Sequence, residues 1–180
     1  MEREHRINEQ VLKRLLALGD HIFLLGNNNL PKVCIYSFLI RTRVNTESVQ
    51  GWKFLNPQFV VSLLNDLFGI QSRSGCLCAA MFGQKVLGID LNLSREFKEA
   101  LFDGNESLRV GFTRVNLNYF LSDDEIEYIL TAIEFVAKYG WMFLPHYQFE
   151  AETGIWINRE EKESRVRTWL GQIDYSHGLM

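Results

Sequence analysis

Residues 32–42 read KVCIYSFLIRT. The segment is almost continuously apolar and rich in β-branched and aromatic side chains. A short apolar run of this kind fits a strand covered on both faces. The rest of the chain must therefore supply the layers that cover it. Helical segments are marked on either side. Over residues 3–18, Ile7, Val11, Leu15 and Leu18 recur at helical spacing, and Gly19 offers a stop. Glu9, Lys13 and Arg14 make the opposite face of that helix wet. Asn56-Pro57 is a helix start, with Asn as N-cap and Pro at the first helical position. Val60, Leu63, Leu64 and Leu67 form its stripe, and Gly69 ends it. Ser94 is expected to begin a shorter helix through Phe102, left by the turn Asp103-Gly104-Asn105. Ser122-Asp123-Asp124-Glu125 is a capping box with acids at the positive helix end. The helix it opens is expected to reach Tyr139, with Ile126, Ile129, Leu130, Ile133 and Val136 inward and Gly140 as its cap.

Residues 108–119 read as the second good strand. Thr113, Val115, Leu117 and Tyr119 fall on one side, and Arg114, Asn116 and Asn118 on the other, because side chains alternate with period two. Tyr147-Gln148-Phe149 and Ile155-Trp156-Ile157, separated by Glu152-Thr153-Gly154, suggest a hairpin. Ile22-Phe23-Leu24-Leu25-Gly26 is a short apolar run, followed by an Asn27-Asn28-Asn29 turn. The order predicts an α+β fold: a small, mostly antiparallel sheet with helices packed on one face. The 180 residues suit one domain, placed at 1–160, with residues 161–180 as a charged tail. Residues 158–167, NREEKESRVR, read as a solvated charge run.

Composition excludes several classes. The formal net charge is −3 with scattered basic residues, which argues against nucleic acid or an anionic membrane as partner. No apolar run approaches the ~20 residues that span a bilayer. The segment Met1-Glu2-Arg3-Glu4-His5-Arg6 lacks the apolar stretch of a signal peptide, so the expected compartment is cytoplasmic. Three cysteines, Cys34, Cys76 and Cys78, make no disulfide framework. A structural zinc site wants four ligands, and Cys76-Leu77-Cys78 has no second cluster to join, so no metal is expected. The histidines His5, His21, His146 and His177 show no ligand spacing.

Two residue types remain that carry chemistry. Arg114 lies within a strand, where a guanidinium needs a carboxylate, a phosphate or carbonyls for satisfaction. Its planar fork suits bidentate carboxylate binding. The plain alternative is a strand arginine on a wet face or beside an acid. Residues 70–80, Ile70 to Ala80, are too polar and too rich in small residues for a core element and read as a loop, and Cys78 lies in its stretch S-R-S-G-C-L-C-A-A. A thiol there becomes nucleophilic if exposed near positive charge, and Arg73 is close in sequence. The plain alternative is a small buried hydrophobe. P-loop, dinucleotide-binding, zinc-protease and nucleophile-elbow motifs are all lacking.

Three stretches taken together carry a resemblance: LLNDLFGIQSRSGCLCA (residues 63–79), GQKVLGID (83–90) and TRVNLNYFLSDDEIEYIL (113–130). In their joint spacing, from about residue 10 to 160, the chain resembles the C-terminal region of class V aminotransferases. These are fold-type I pyridoxal-phosphate enzymes, which include cysteine desulfurases and selenocysteine lyases. The resemblance implies that Arg114 binds the substrate α-carboxylate and that Arg73 stands near the active site. It implies that Cys78 matches the cysteine that takes up sulfur in desulfurases. The sequence departs from the pattern at Leu77, where such desulfurases have His, and at Ala80-Met81, where close relatives have Gly-Pro. The cofactor lysine, the ring-stacking residue and the aspartate at the pyridine nitrogen belong, in the family, to a large domain outside these stretches.

Two expectations follow. In the first, the chain is the C-terminal part of a pyridoxal-phosphate enzyme acting on an amino acid. Its partner is then a missing large domain or a second subunit, and the chain alone neither binds the cofactor nor turns over. In the second, it is a non-catalytic interaction or dimerisation module on an enzyme-derived scaffold. Thirteen Phe, six Tyr and four Trp in the sequence suit either a bulky core or an apolar face for another domain.

Overall fold

The computed structural model describes residues 2–45, 50–75, 80–102, 111–151 and 153–160. It is an α+β fold. Helix α1 (Glu2–Leu16) leads through a 3-10 turn into β1 (Ile22–Leu24), β2 (Ile35–Asn45) and β3 (Gln50–Phe54). Helices α2 (Pro57–Phe68), α3 (Ala80–Val86) and α4 (Leu91–Phe102) precede β4 (Thr113–Asn116). Helix α5 (Asp123–Tyr139), a 3-10 segment and the hairpin β5 (Tyr147–Glu150) and β6 (Ile155–Asn158) complete the described chain.

The apolar run at 32–42 becomes the centre of the sheet. Strand β2 pairs antiparallel with β1, β3 and β4. Phe38 is opposite Leu24 of β1 and Thr113 of β4, so these two strands flank it on opposite edges. Strands β3 and β4 share one edge, end to end: β3 follows residues 41–45 and β4 follows 35–38. Tyr36, Phe38 and Ile40 point to one face and are buried there with Ile7, Val11 and Leu15 of α1, Val60, Leu63 and Leu64 of α2, and Ile126, Leu130 and Ile133 of α5. Burying side chains of this size contributes roughly 1.5–3 kcal/mol each, so this layer dominates the core. The hairpin closes over α2, with Phe59 against the rings of Tyr147 and Trp156 at 5.3 and 4.9 Å.

Local signals acted as their chemistry requires. Asn56 Oδ1 accepts from the Gln58 amide at 2.8 Å. Gly69 takes the left-handed conformation at the end of α2, with φ 67°. Ser122 and Glu125 complete a reciprocal capping box. Three details differ from expectation. Leu67 and Tyr119 are exposed, because they stand beyond the core at the ends of α2 and β4. Helix α4 starts at Leu91 rather than Ser94, since Asp90 Oδ1 accepts the Leu93 amide at 2.8 Å. Gly140 is the C-cap of α5 as expected; the added detail is that it is right-handed, with φ −55°, so the chain winds on into a 3-10 segment. Its bare Cα admits close packing: a Cβ there would be 3.1 Å from Val136 Cγ1 and 3.2 Å from Leu63 Cδ1. The turn at 103–105 and the tail at 161–180 lie outside the described residues, as does most of the charge run at 158–167.

Polar clamps fix α1. Tyr36 Oη donates to Asn8 Oδ1 at 2.8 Å inside the core. Arg3 donates to the carbonyls of Tyr119 and Leu121. Arg14 reaches Glu134 at 2.5 Å and Glu127 at 2.7 Å on α5. The Arg14 hydrogen bond holds the Glu134 carboxyl below its ordinary value of 4.5. A carboxyl with a depressed folded value stabilises the fold above its unfolded value, and that stability fades as pH falls through the folded value. Arg14→Met should therefore cost about 1 kcal/mol at neutral pH. It should also flatten the loss of stability in the acid range. Urea midpoints of both proteins across pH check this.

Candidate functional site

Strand β4 positions Arg114. Its neighbours Thr113, Val115 and Leu117 enter the core, so Arg114 and Asn116 face the side of the sheet away from α1, α2 and α5. On β2 the directly opposed residue is Ser37. On the other edge of β4 stands Arg73. The Arg73 amide donates to the Arg114 carbonyl at 3.1 Å, and the Arg114 amide donates back to the Arg73 carbonyl at 2.7 Å. The two arginines are thus a directly opposed antiparallel pair, and such pairs send their side chains to the same face. The row across the sheet is Ser37, Arg114, Arg73.

A second contact fastens this edge. The Phe112 amide reaches the Gly75 carbonyl at 3.5 Å. Gly75 has φ 98°, a conformation that suits glycine. Gly111 crosses it so closely that a Cβ on Gly111 would lie 2.3 Å from Gly75 Cα. Ser74 turns to the core side and hydrogen-bonds the Gln58 side chain on α2. The stretch at 72–75, read from composition as a polar loop, is here an added edge of the sheet. The signal for it was the pairing of two glycines remote in sequence, which no local pattern displays.

What sets the pair apart is that two guanidinium groups share one face without an acid between them; Arg6, Arg43, Arg95 and Arg159 also lack a carboxylate among the described residues, but none of them is cross-strand partner to another arginine. Arg3, Arg14 and Arg41 each meet a carboxylate, at 3.0, 2.5 and 2.7 Å. Among the described residues, Arg73 and Arg114 meet none. Arg114 is half-buried and Arg73 is exposed. Like charges directly opposed across strands repel. An anion between them would relieve that repulsion, and the guanidinium forks match a carboxylate or a phosphate.

Beside the row lies a cavity of about 730 Å³. Phe23, Leu39 and Phe54 of the sheet form one wall; Val86 and Ile89 at the end of α3 and Leu93 and Phe97 of α4 form the other. Helices α3 and α4 therefore stand over the second face of the sheet across an open space, and α4 buries none of its residues. The double covering expected for β2 is thus complete on the helical face and partial on the other.

Cys76 and Cys78 lie outside the described residues, as do Leu77 and Ala79. The described cysteine, Cys34, is buried and donates to the Glu4 carbonyl at 3.3 Å. Burial pushes its thiol up from the ordinary value, which keeps it protonated and unreactive. No group of three metal-ligating side chains occurs among the described residues. None of the described helices is long and apolar enough to cross a membrane. No protein-family model matches the chain, and no curated protein matches its sequence.

Gly111→Ala should force the 73–75 edge away from β4. The expected cost is about 1–3 kcal/mol, the usual range for overpacking. Amide exchange at Arg73 and Arg114 should accelerate more than exchange at Tyr36 or Ile40 in the same sheet. Hydrogen–deuterium exchange of the two proteins measures this.

Proposed function

We propose that this chain forms the carboxylate-binding part of a pyridoxal-phosphate-dependent enzyme of the class V aminotransferase or cysteine desulfurase type. The observation that carries the reading is the opposed pair Arg73–Arg114, brought together on one sheet face without a carboxylate among the described residues. In this reading the substrate is an amino acid. Its α-carboxylate bridges the two guanidinium groups, with Arg114 the principal ligand because it is the less exposed of the two. In the desulfurase form of this reading, and in that form alone, Cys78, on the same connection as Arg73, is the sulfur-accepting nucleophile.

The described residues do not fit the cofactor itself. Among the described residues, the lining of the cavity beside the arginines has no lysine and no carboxylate. In this reading the lysine that holds pyridoxal phosphate and the acid that pairs with its ring nitrogen come from another unit, a large domain or a second subunit. What the cofactor supplies when bound is an electron sink for the amino acid's α-carbon. What this chain supplies is orientation: a substrate held by its carboxylate presents a fixed bond to that sink.

A second reading, a non-catalytic docking module, is favoured by an exposed aromatic band. Tyr128, Phe135 and Tyr139 of α5 are exposed and join Phe68 and Phe143 through ring contacts of 5.3–6.4 Å. Sedimentation of the chain separates the two. Self-association lost in Phe135→Ser, with carboxylate binding absent, would favour the module.

The enzymatic reading is tested by titrating the isotope-labelled chain with propionate at constant ionic strength. The Arg73 and Arg114 side-chain N–H resonances should shift, and chloride should not reproduce the effect. Arg114→Gln should weaken propionate by roughly tenfold or more, the expected loss for a charge-assisted hydrogen bond. Unshifted arginine resonances would remove the reading. Pyridoxal phosphate added to the chain alone should give no stable visible absorbance of a lysine-bound cofactor.

A further inference from the structure

The arginine row and the cavity lie on the same face of one sheet, a single strand step apart. Leu39, which lines the cavity, follows Ser37 by two residues on β2, and Ser37 is the cross-strand partner of Arg114. Residues two apart on a strand face the same way, about 7 Å from each other. On the neighbouring edge the pattern repeats. Gly75 follows Arg73 by two residues and is pressed against Gly111, which itself lines the cavity. The backbone positions of Arg114 and Arg73 are thus each one strand step from the cavity, next to Leu39 and to the Gly75–Gly111 contact.

The rest of that space is apolar. Its lining includes Phe23, Leu39, Phe54, Leu87, Ile89 and Phe97. Among the described residues the polar side chain in the lining is Asn56, and its Oδ1 is already engaged by the Gln58 amide as the cap of α2. A ligand group in this space would gain burial and find little to hydrogen-bond. The volume, about 730 Å³, falls within the usual range for small-molecule sites. The two glycines contribute by what they lack. Gly75 and Gly111 themselves raise no side chain between the arginines and the apolar wall; Phe112, two residues from Arg114, is buried beside them.

We infer that the site is built for a carboxylate carrying an apolar body, so that the preferred substrate is an amino acid with a large apolar side chain. The carboxylate lies on Arg114 and Arg73, and the side chain extends over Leu39 toward Leu93 and Phe97. This rests on the carboxylate reading given above, in its aminotransferase rather than its desulfurase form, and adds the chemical class of what is bound. The chain departs here from a site for small polar amino acids, whose side chains would lose water in this cavity without compensation.

The test uses the full chain and three probes: propionate, 3-phenylpropionate and 3-phenyl-1-propanol. Dissociation constants come from calorimetry or from side-chain resonance shifts. Phenylpropionate is expected to bind at least roughly tenfold tighter than propionate, the gain for burying a group of phenyl size. Leu93→Trp, which fills the cavity, should bring phenylpropionate down to the level of propionate and leave propionate unchanged. Phe97→Asp is the second variant, setting a like charge in the apolar wall. Helix α4 has no buried residue, so both leave the core intact. Arg114→Gln should weaken both acids and leave the alcohol unaffected. Equal binding of the two acids, or phenylpropionate binding untouched by Leu93→Trp and Phe97→Asp, overturns the apolar-body inference while the carboxylate reading stands. Binding of phenylpropionate no tighter than of the alcohol, with Arg114→Gln without effect, overturns the carboxylate reading and this inference with it.

Discussion

The fold depends on β2 and on the asymmetry of its two faces. On one face Tyr36, Phe38 and Ile40 are almost fully buried beneath three helices, and Tyr36 is also tied to Asn8 of α1. That face carries most of the burial free energy, and it sets the register of every other strand. A one-residue slip of β2 would turn its aromatic residues out and its Ser37 and Arg41 in. The position of Arg114 is therefore a consequence of core packing. Thr113 and Val115 are buried, so the residue between them must face the other way.

The second face is organised by polarity rather than by packing. Arg41, on the β1–β3 side, is neutralised by Asp20 and lies over the Trp52 ring. At the β4 side Arg114 and Arg73 meet each other instead. This face thus has two halves, one held by the Arg41 ion pair with Arg43 exposed at its end, and one carrying the opposed arginines. The open space under α3 and α4 belongs to the second half, and its position beside the guanidinium groups gives that half both a charge and a shape.

Much of the scaffold was legible in the sequence because its signals are local. A cap such as Asn56 or Ser122 bonds an amide two or three residues away, so its pattern is written in adjacent positions. The alternation around Arg114 was legible for the same reason. What could not be read was every feature made by residues remote in sequence. Arg73 was assigned to a loop, since its edge pairing exists only through backbone hydrogen bonds to β4. Gly75 and Gly111 are informative only as a pair. The cavity was invisible because α3 and α4 have apolar residues like those of any buried helix, yet stand away from the sheet. Gly140 ends α5 as its position suggested, but its second role, admitting Val136 and Leu63 to close contact, also depends on residues brought together by the fold.

The pairing of β4 with β2 has a kinetic consequence. Strands β1, β2 and β3 follow one another closely and can form an antiparallel meander early. Joining Thr113 to Phe38 instead requires closing a long loop that contains α2, α3 and α4, and such closures lose entropy before contacts reward them. The guanidinium row is complete only after that last docking, when the 73–75 edge adds to β4 in turn. An intermediate with a native meander and capped helices would thus be folded by most spectroscopic measures and still have nothing with which to grasp an anion.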